Sequence, residues 1–140
     1  MKAIRIYADT SVFGGVFDDE FQQPSQTFFV QVKSGQFVLV TSAVVQSELA
    51  AAPPTVRRFF EEMLGLAEVA DITANALALR DAYLQAKIVT PKYADDALHV
   101  ALATVAGCAL IVSWNFQHIV HFQKIPLYNA INTLQGYQPI

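Results

Sequence analysis

Four consecutive apolar residues, Ala109-Leu110-Ile111-Val112, lie between a helix-spaced stretch and the polar tip Ser113-Trp114-Asn115, and no other feature constrains this chain as tightly. The run is too short for a helix and lacks polar alternation, so it suits a strand of a parallel sheet covered on both faces. Ahead of it, Leu98, Ala101, Leu102, Val105 and Ala106 recur at helical spacing. Thr90 is placed to cap that helix, Pro91 fits its first turn and Gly107 stops it. The polar tip therefore falls at the C-terminal end of a strand, the edge where open α/β sheets hold their ligands. Adjacent Asp95 and Asp96 are out of place in so apolar a helix. An unpaired buried carboxylate is strongly disfavoured, so at least one should face a cleft, a cation or a partner.

The rest of the chain alternates in the same manner. Residues 3–8 read as a first strand ending in Asp9-Thr10-Ser11, where either hydroxyl can cap a short helix that Gly14-Gly15 interrupts. An acidic, aromatic loop over 16–23 leads to a helix over 24–34, with Ser25 as its cap. Residues 37–40 form a second strand, and Thr41 or Ser42 caps a helix over 43–51 whose single acid is Glu48. Pro53-Pro54 separates it from a helix bearing Val56, Phe59, Phe60, Met63 and Leu64. A third strand over 66–72 and a helix from Thr73 to about residue 87 precede the stretch already described. Beyond it, 116–122 make one or two helical turns, and 126–140 read as irregular with room for a final strand near the end. The pattern predicts one domain over 1–140, an α/β/α three-layer sandwich around a mostly parallel sheet.

Composition narrows the function classes. Apolar residues make up 54% and charged residues 15%, which suggests a buried sheet, an oligomer interface or both. The doubled phenylalanines Phe28-Phe29 and Phe59-Phe60 exceed what one helix face needs and suggest a partner surface. Nine basic against twelve acidic residues, a net charge of −3, exclude a broad electropositive sheath for nucleic acid but leave room for a local basic rim. Arg5, Arg57, Arg58, Lys87 and Lys92 are the candidate phosphate contacts, solvated surface being the plainer reading of each. A single cysteine, Cys108, allows no internal disulfide, fits a reducing compartment and reads as core packing. With neither a signal-peptide core nor an apolar run of membrane-spanning length, the expectation is a soluble cytoplasmic protein without a membrane partner.

Three acids fall at comparable places. Asp9 ends the first strand, Glu48 follows the second, and Asp95 or Asp96 precedes the later one. Converging carboxylates without basic partners repel one another, and an oxygen-only donor set favours Mg²⁺ or Mn²⁺. The plainer alternative is a set of solvated surface acids.

Four segments in this order resemble the PIN-domain family, and within it the VapC-type toxin ribonucleases of bacterial toxin–antitoxin systems. They are Tyr7 to Phe13, Thr41 to Leu49, Ala94 to Ala103 and Leu110 to Phe116. The resemblance implies a metal-dependent endoribonuclease of PIN-like fold, with Asp9, Glu48 and Asp96 as the metal-binding acids and Mg²⁺ or Mn²⁺ as cofactor. Asp95 is then an outer neighbour or a solvated acid, since helical neighbours point about 100° apart. Thr10, Ser11 and Ser113 supply hydroxyls beside the first acid, helix capping being the alternative for the first two. Asn115 departs from the family pattern, where many members carry aspartate. Its side-chain oxygen can complete the ring, but the lost charge should weaken a second cation site more than the first. The resemblance further implies an RNA substrate, a homodimer and a cognate antitoxin protein.

The rival reading is a non-catalytic PIN-fold module that binds RNA or protein; a small phosphatase is a third, lacking a second aspartate two residues after Asp9. His99, one turn after Asp96, reads first as a hydrogen-bonded core histidine and second as a site neighbour. His118 and His121 do not make a zinc site by themselves. Trp114 is expected to pack or to line an interface.

Overall fold

The computed structural model describes residues 3–140. Four strands, β1 (Ile4–Ala8), β2 (Phe37–Ser42), β3 (Glu68–Ala70) and β4 (Leu110–Val112), form one sheet in the order β3-β2-β1-β4. Every pairing is parallel, with Tyr7 opposite Val40 on one side and opposite Ile111 on the other. Between β1 and β2 lie α1 (Thr10–Gly15) and α2 (Gln22–Lys33), and between β2 and β3 lie α3 (Ala43–Leu49) and α4 (Pro54–Leu64). The return from β3 to β4 carries α5 (Ala74–Gln85) and α6 (Ala94–Val105), and α7 (Lys124–Leu134) follows β4. Right-handed crossovers that step outward from β1 to β3 and then return past β1 to β4 place the helices on opposite faces. Two apolar clusters match this: one joins α1–α4 to the sheet, the other is built from α5, α6 and α7, and α6 contributes to both. This is the three-layer α/β/α architecture expected. Among the described residues no helix is long and apolar enough to cross a membrane.

The doubled phenylalanines lie in the interior rather than on a partner surface. Phe13 packs against Phe29 and edge-on against Phe60, both at 5.1 Å, and Phe29 meets Phe59 at 4.8 Å. Phe28, Phe29 and Phe60 are buried, so the excess of aromatic surface closes the α1–α2–α4 layer.

Several expected caps have other employment. Ser42 and Thr73 do cap α3 and α5, accepting from the amides of Val45 and Ala76. Thr90 makes no side-chain cap bond; Pro91–Tyr93 form a 3-10 turn before α6 begins. Ser25 lies inside α2, fully buried, and accepts the indole N–H of Trp114 at 2.9 Å. Thr10 and Ser11 are the first residues of α1 after Asp9, and their hydroxyls turn to carboxylates instead of to backbone amides.

The C-terminal segment differs most from expectation. Residues 124–134 are helical although Pro126 stands in the first turn, because the amides there have no intrahelical acceptor to lose. Asn132, fully buried, accepts from the Tyr83 hydroxyl and donates to Thr104 Oγ1 at 3.3 Å, pinning α7 to α5 and α6. Asn129 accepts the Ile140 amide at 2.7 Å and donates to the Ile140 carbonyl at 3.0 Å. Asn129 thus holds the end of the tail, the Tyr137 amide bonds the Asn132 carbonyl at 2.8 Å, and among the described residues no fifth strand forms.

Gly15 makes the join between the α1–α2 layer and the polar tip possible. A Cβ there would stand 2.5 Å from Ser25 Oγ and 2.8 Å from Trp114 Nε1. Gly15→Ala is expected to destabilise the protein by about 1–3 kcal/mol through overpacking, read as a lower urea midpoint, with a shift of the Trp114 emission that an exposed-helix glycine substitution would not give.

Candidate functional site

The sheet order reverses at β1, whose neighbours β2 and β4 are reached by crossovers on opposite faces, so the crevice at its C-terminal end is the topological switch point. Asp9 occupies it, one residue past β1, and its amide donates to Val112 O at 3.3 Å. The Asp9 side chain is only 3% exposed. Two hydroxyls satisfy it: Ser11 donates to Oδ1 at 2.6 Å and Ser113 to Oδ2 at 2.8 Å. Each hydroxyl is oriented in turn, Ser11 by the Trp114 amide at 2.8 Å and Ser113 by the Asn115 amide at 2.9 Å. Since both oxygens already accept from a backbone N–H, their own protons are free to point at the carboxylate.

Glu48 stands beside it in the last turn of α3. Its Oε1 accepts from Thr10 Oγ1 at 2.9 Å and from His99 Nε2 at 2.5 Å. His99 is 1% exposed, and its Nδ1 meets the Tyr7 hydroxyl at 2.7 Å, which also contacts Ser42 Oγ at 2.8 Å. Both readings of His99 therefore hold at once: it is a satisfied core residue and a neighbour of the acid pair.

The two acids are driven in opposite directions. Burial raises the Asp9 carboxyl above the usual aspartate range, against the hydrogen bonds from Ser11 and Ser113 and the influence of His99, and the neighbouring Glu48 charge raises it further. Burial also pushes Glu48 upward, but the hydrogen bond and charge of His99 and the bond from Thr10 outweigh it, and its carboxyl lies below the usual glutamate range. No Lys or Arg among the described residues pairs with either acid.

The remaining candidates are placed less tightly. Asp96 is half-buried and Asp95 exposed, as their positions on α6 require. Asp96 lies three residues before His99 and so shares its helix face. Its charge is felt at His118 and Tyr128, whereas Asp9 feels Glu48 and His99. Asn115 turns its Oδ1 to the His118 amide at 3.0 Å and caps the turn that follows β4. Among the described residues, no three His, Cys, Asp or Glu side chains close into a ready-made cation cage.

The fit to a divalent cation is therefore partial. Asp9 is a buried carboxylate, the donor atoms are all oxygen, and among the described residues no Lys or Arg pairs with Asp9 and Glu48 Oε2 receives no hydrogen bond. These features suit a hard cation. His99 joins the site through Glu48 while remaining a core residue, and its three-residue spacing from Asp96 is the one signal of this in the sequence. Trp114 stacks on Phe21 at 5.2 Å with planes 5° apart, which is a packing role. His118 stacks on Tyr93 at 3.8 Å and lies 3.3 Å from Lys124 Nζ. Arg5 is not a phosphate contact, since Glu68 at 2.8 Å and the Ala106 carbonyl at 2.7 Å hold it. Arg57, Arg58, Lys87 and Lys92 are exposed. Cys108 is buried, its thiol pushed up to about 11 chiefly by burial, as an inert packing residue requires.

No protein-family model and no curated protein matches this chain. Among solved structures, a chain in the crystal structure of VapBC2 from Rickettsia felis, bound to a DNA fragment from their promoter, has a similar fold. The TM-score is 0.57 over 80% of this chain and all of that one, at 12% sequence identity. The likeness is one of fold, and it agrees with the architecture that the PIN-domain resemblance implied.

Opposed shifts give opposed pH dependences in the protein without metal. A raised folded carboxyl stabilises most below its unfolded value, and that contribution is lost as pH rises through the folded value; a lowered one is lost as pH falls. Asp9→Asn is accordingly expected to raise the urea midpoint at neutral pH in chelator, while Glu48→Gln lowers it. Denaturation curves for the two variants against the parent check the pair of signs.

Proposed function

We propose that this protein is a metal-dependent endoribonuclease, with Asp9, Glu48 and Asp96 as ligands of a Mg²⁺ or Mn²⁺ ion. The observation that carries the reading is Asp9: a carboxylate buried at the switch point of a parallel sheet, with no Lys or Arg paired to it among the described residues and a second acid beside it. Asp96 is the proposed third ligand because it shares the face of α6 from which His99 reaches Glu48. Asn115 is the weakest member of the ring, since its side-chain oxygen already serves the local turn. When bound, such an ion supplies water activation and neutralisation of phosphoryl charge for phosphodiester hydrolysis. The chain's own part is to keep the site oriented. Ser11 and Ser113 hold the plane of Asp9, Thr10 and His99 hold Glu48, and Trp114, packed on Phe21 and Ser25, steadies the segment that carries Ser113.

The VapBC2 likeness supports a place in a toxin–antitoxin pair, in which an antitoxin protein would cover the acidic crevice. A homodimer in the cytoplasm is the proposed form. A second reading, a PIN-fold module that binds RNA or protein without cutting, is favoured by Asn115 and by the open arrangement of the acids.

A panel of tRNA and single-stranded RNA separates the two. Cleavage that requires Mn²⁺ or Mg²⁺, and that disappears with chelator and in Asp9→Asn, is the expected result. Binding of RNA with no cleavage, in a protein that calorimetry shows not to take up Mn²⁺, would support the non-catalytic module instead. Asn115→Asp keeps the acceptor for His118 while adding a charge, so it is expected to tighten Mn²⁺ binding; an unchanged dissociation constant in titration calorimetry would remove Asn115 from the ring.

A further inference from the structure

Glu48 ends an interior chain of hydrogen bonds that begins at Ser42, the residue that caps the same helix, α3, and passes through β1 and α6. Ser42 Oγ accepts the Val45 amide at 3.4 Å and lies 2.8 Å from the Tyr7 hydroxyl, so its own proton can go to Tyr7. In the neutral ring the Tyr7 proton goes to His99 Nδ1 at 2.7 Å and the imidazole proton stays on Nε2, 2.5 Å from Glu48 Oε1; in the charged ring both nitrogens donate, and an Nε2 proton again faces Glu48. The reverse assignment would set a bare ring nitrogen against a carboxylate, two acceptors face to face. Ser42, Tyr7 and His99 are all buried to within 1% exposure, so water does not compete for these contacts.

Two consequences follow for Glu48. Its donors, Thr10 and His99, share Oε1, and among the described residues Oε2 receives none. A glutamate in the last turn of a seven-residue helix has three side-chain torsions to settle, and these two donors settle them with Oε2 left open. The same chain joins β1, β2, α3 and α6, and His99 lies three residues after Asp96 on one helix face.

We infer that Tyr7 and His99 are positioning residues: together they fix Glu48 so that Oε2 is presented to the cation, and they set the spacing between Glu48 and the helix that carries Asp96. This rests on the metal-binding reading above. Outer partners of this kind alter metal affinity by about 10–100-fold when removed.

The test uses the full chain with Mn²⁺ as the probe. By titration calorimetry, Tyr7→Phe, which keeps the ring and loses only the hydroxyl, is expected to weaken Mn²⁺ binding several-fold, and His99→Ala by about 10-fold or more. His99→Gln, which retains an N–H donor, should recover part of that loss, and adding Tyr7→Phe to His99→Gln should cost nothing further. A merely structural role would lower the urea midpoint while leaving the affinity unchanged. Tyr7→Phe and His99→Gln proteins that fold and hold Mn²⁺ as the parent does overturn the inference. Should His99→Ala not fold, Tyr7→Phe decides alone.

A metal-free readout separates this failure from that of the nuclease reading. Proton NMR in chelator should show an exchange-protected imidazole N–H far downfield, absent in His99→Gln and moved upfield in Tyr7→Phe. A parent protein that takes up no Mn²⁺ overturns the metal reading and the role of the clamp in it. The absence of that proton from a parent protein that does bind Mn²⁺ overturns the clamp alone.

Discussion

The parallel pairing of β1 with a strand on each side is the constraint on which the rest of this structure depends. Because β2 and β4 are reached by crossovers on opposite faces, the chain cannot cover the C-terminal end of β1, and a crevice is left there. Whatever residue follows β1 must stand at the floor of that crevice, walled by the segments that follow β2 and β4. In this chain that residue is Asp9, and the walls bring Glu48 from one side and Ser113 from the other.

Burying a carboxylate in such a place is costly unless it is well bonded. The cost is met by hydroxyls whose orientations are set by backbone amides of the segment after β4, so the same few residues that end the strand also satisfy the acid. Gly15, Ser25 and Trp114 belong to this arrangement too, since the indole fits against a glycine that has no Cβ to obstruct it. The acid and its support form one packed unit, and a change in the support reaches the acid through two hydrogen bonds.

Two further interior polar networks follow the same rule, one remote from the crevice and one that reaches it through Glu48. Tyr83, Thr104 and Asn132 tie the C-terminal helix to α5 and α6, and Tyr7, His99 and Ser42 tie α6 to the sheet. In a chain this apolar, such networks choose which of many greasy packings is adopted, because each member left without a partner would be penalised.

Much of this was legible in the residues themselves. Short apolar runs at 37–40 and 109–112, helix-spaced stretches between them and the stops at Gly35 and Gly107 are local signals, and they were sufficient for the sandwich and its parallel sheet. The placing of Asp9 at a strand end was legible for the same reason. What the tertiary structure decided is where side chains turn once distant segments meet. Of the two readings open for Thr10 and Ser11, capping or hydroxyls beside an acid, the folded chain takes the second; Asn115 turns its side-chain oxygen to the His118 amide; the doubled phenylalanines looked like a partner surface but fill a layer. Residues 124–134, dotted with asparagine and proline, form a helix whose Asn132 finds buried partners in Tyr83 and Thr104, far off in the chain. Periodicity is a property of neighbours along the chain, so the sequence by itself determined the alternating strands and helices as far as β4 and their order, but not the helix that follows. A hydrogen-bond partner is a property of neighbours in space, and only the folded chain could assign it.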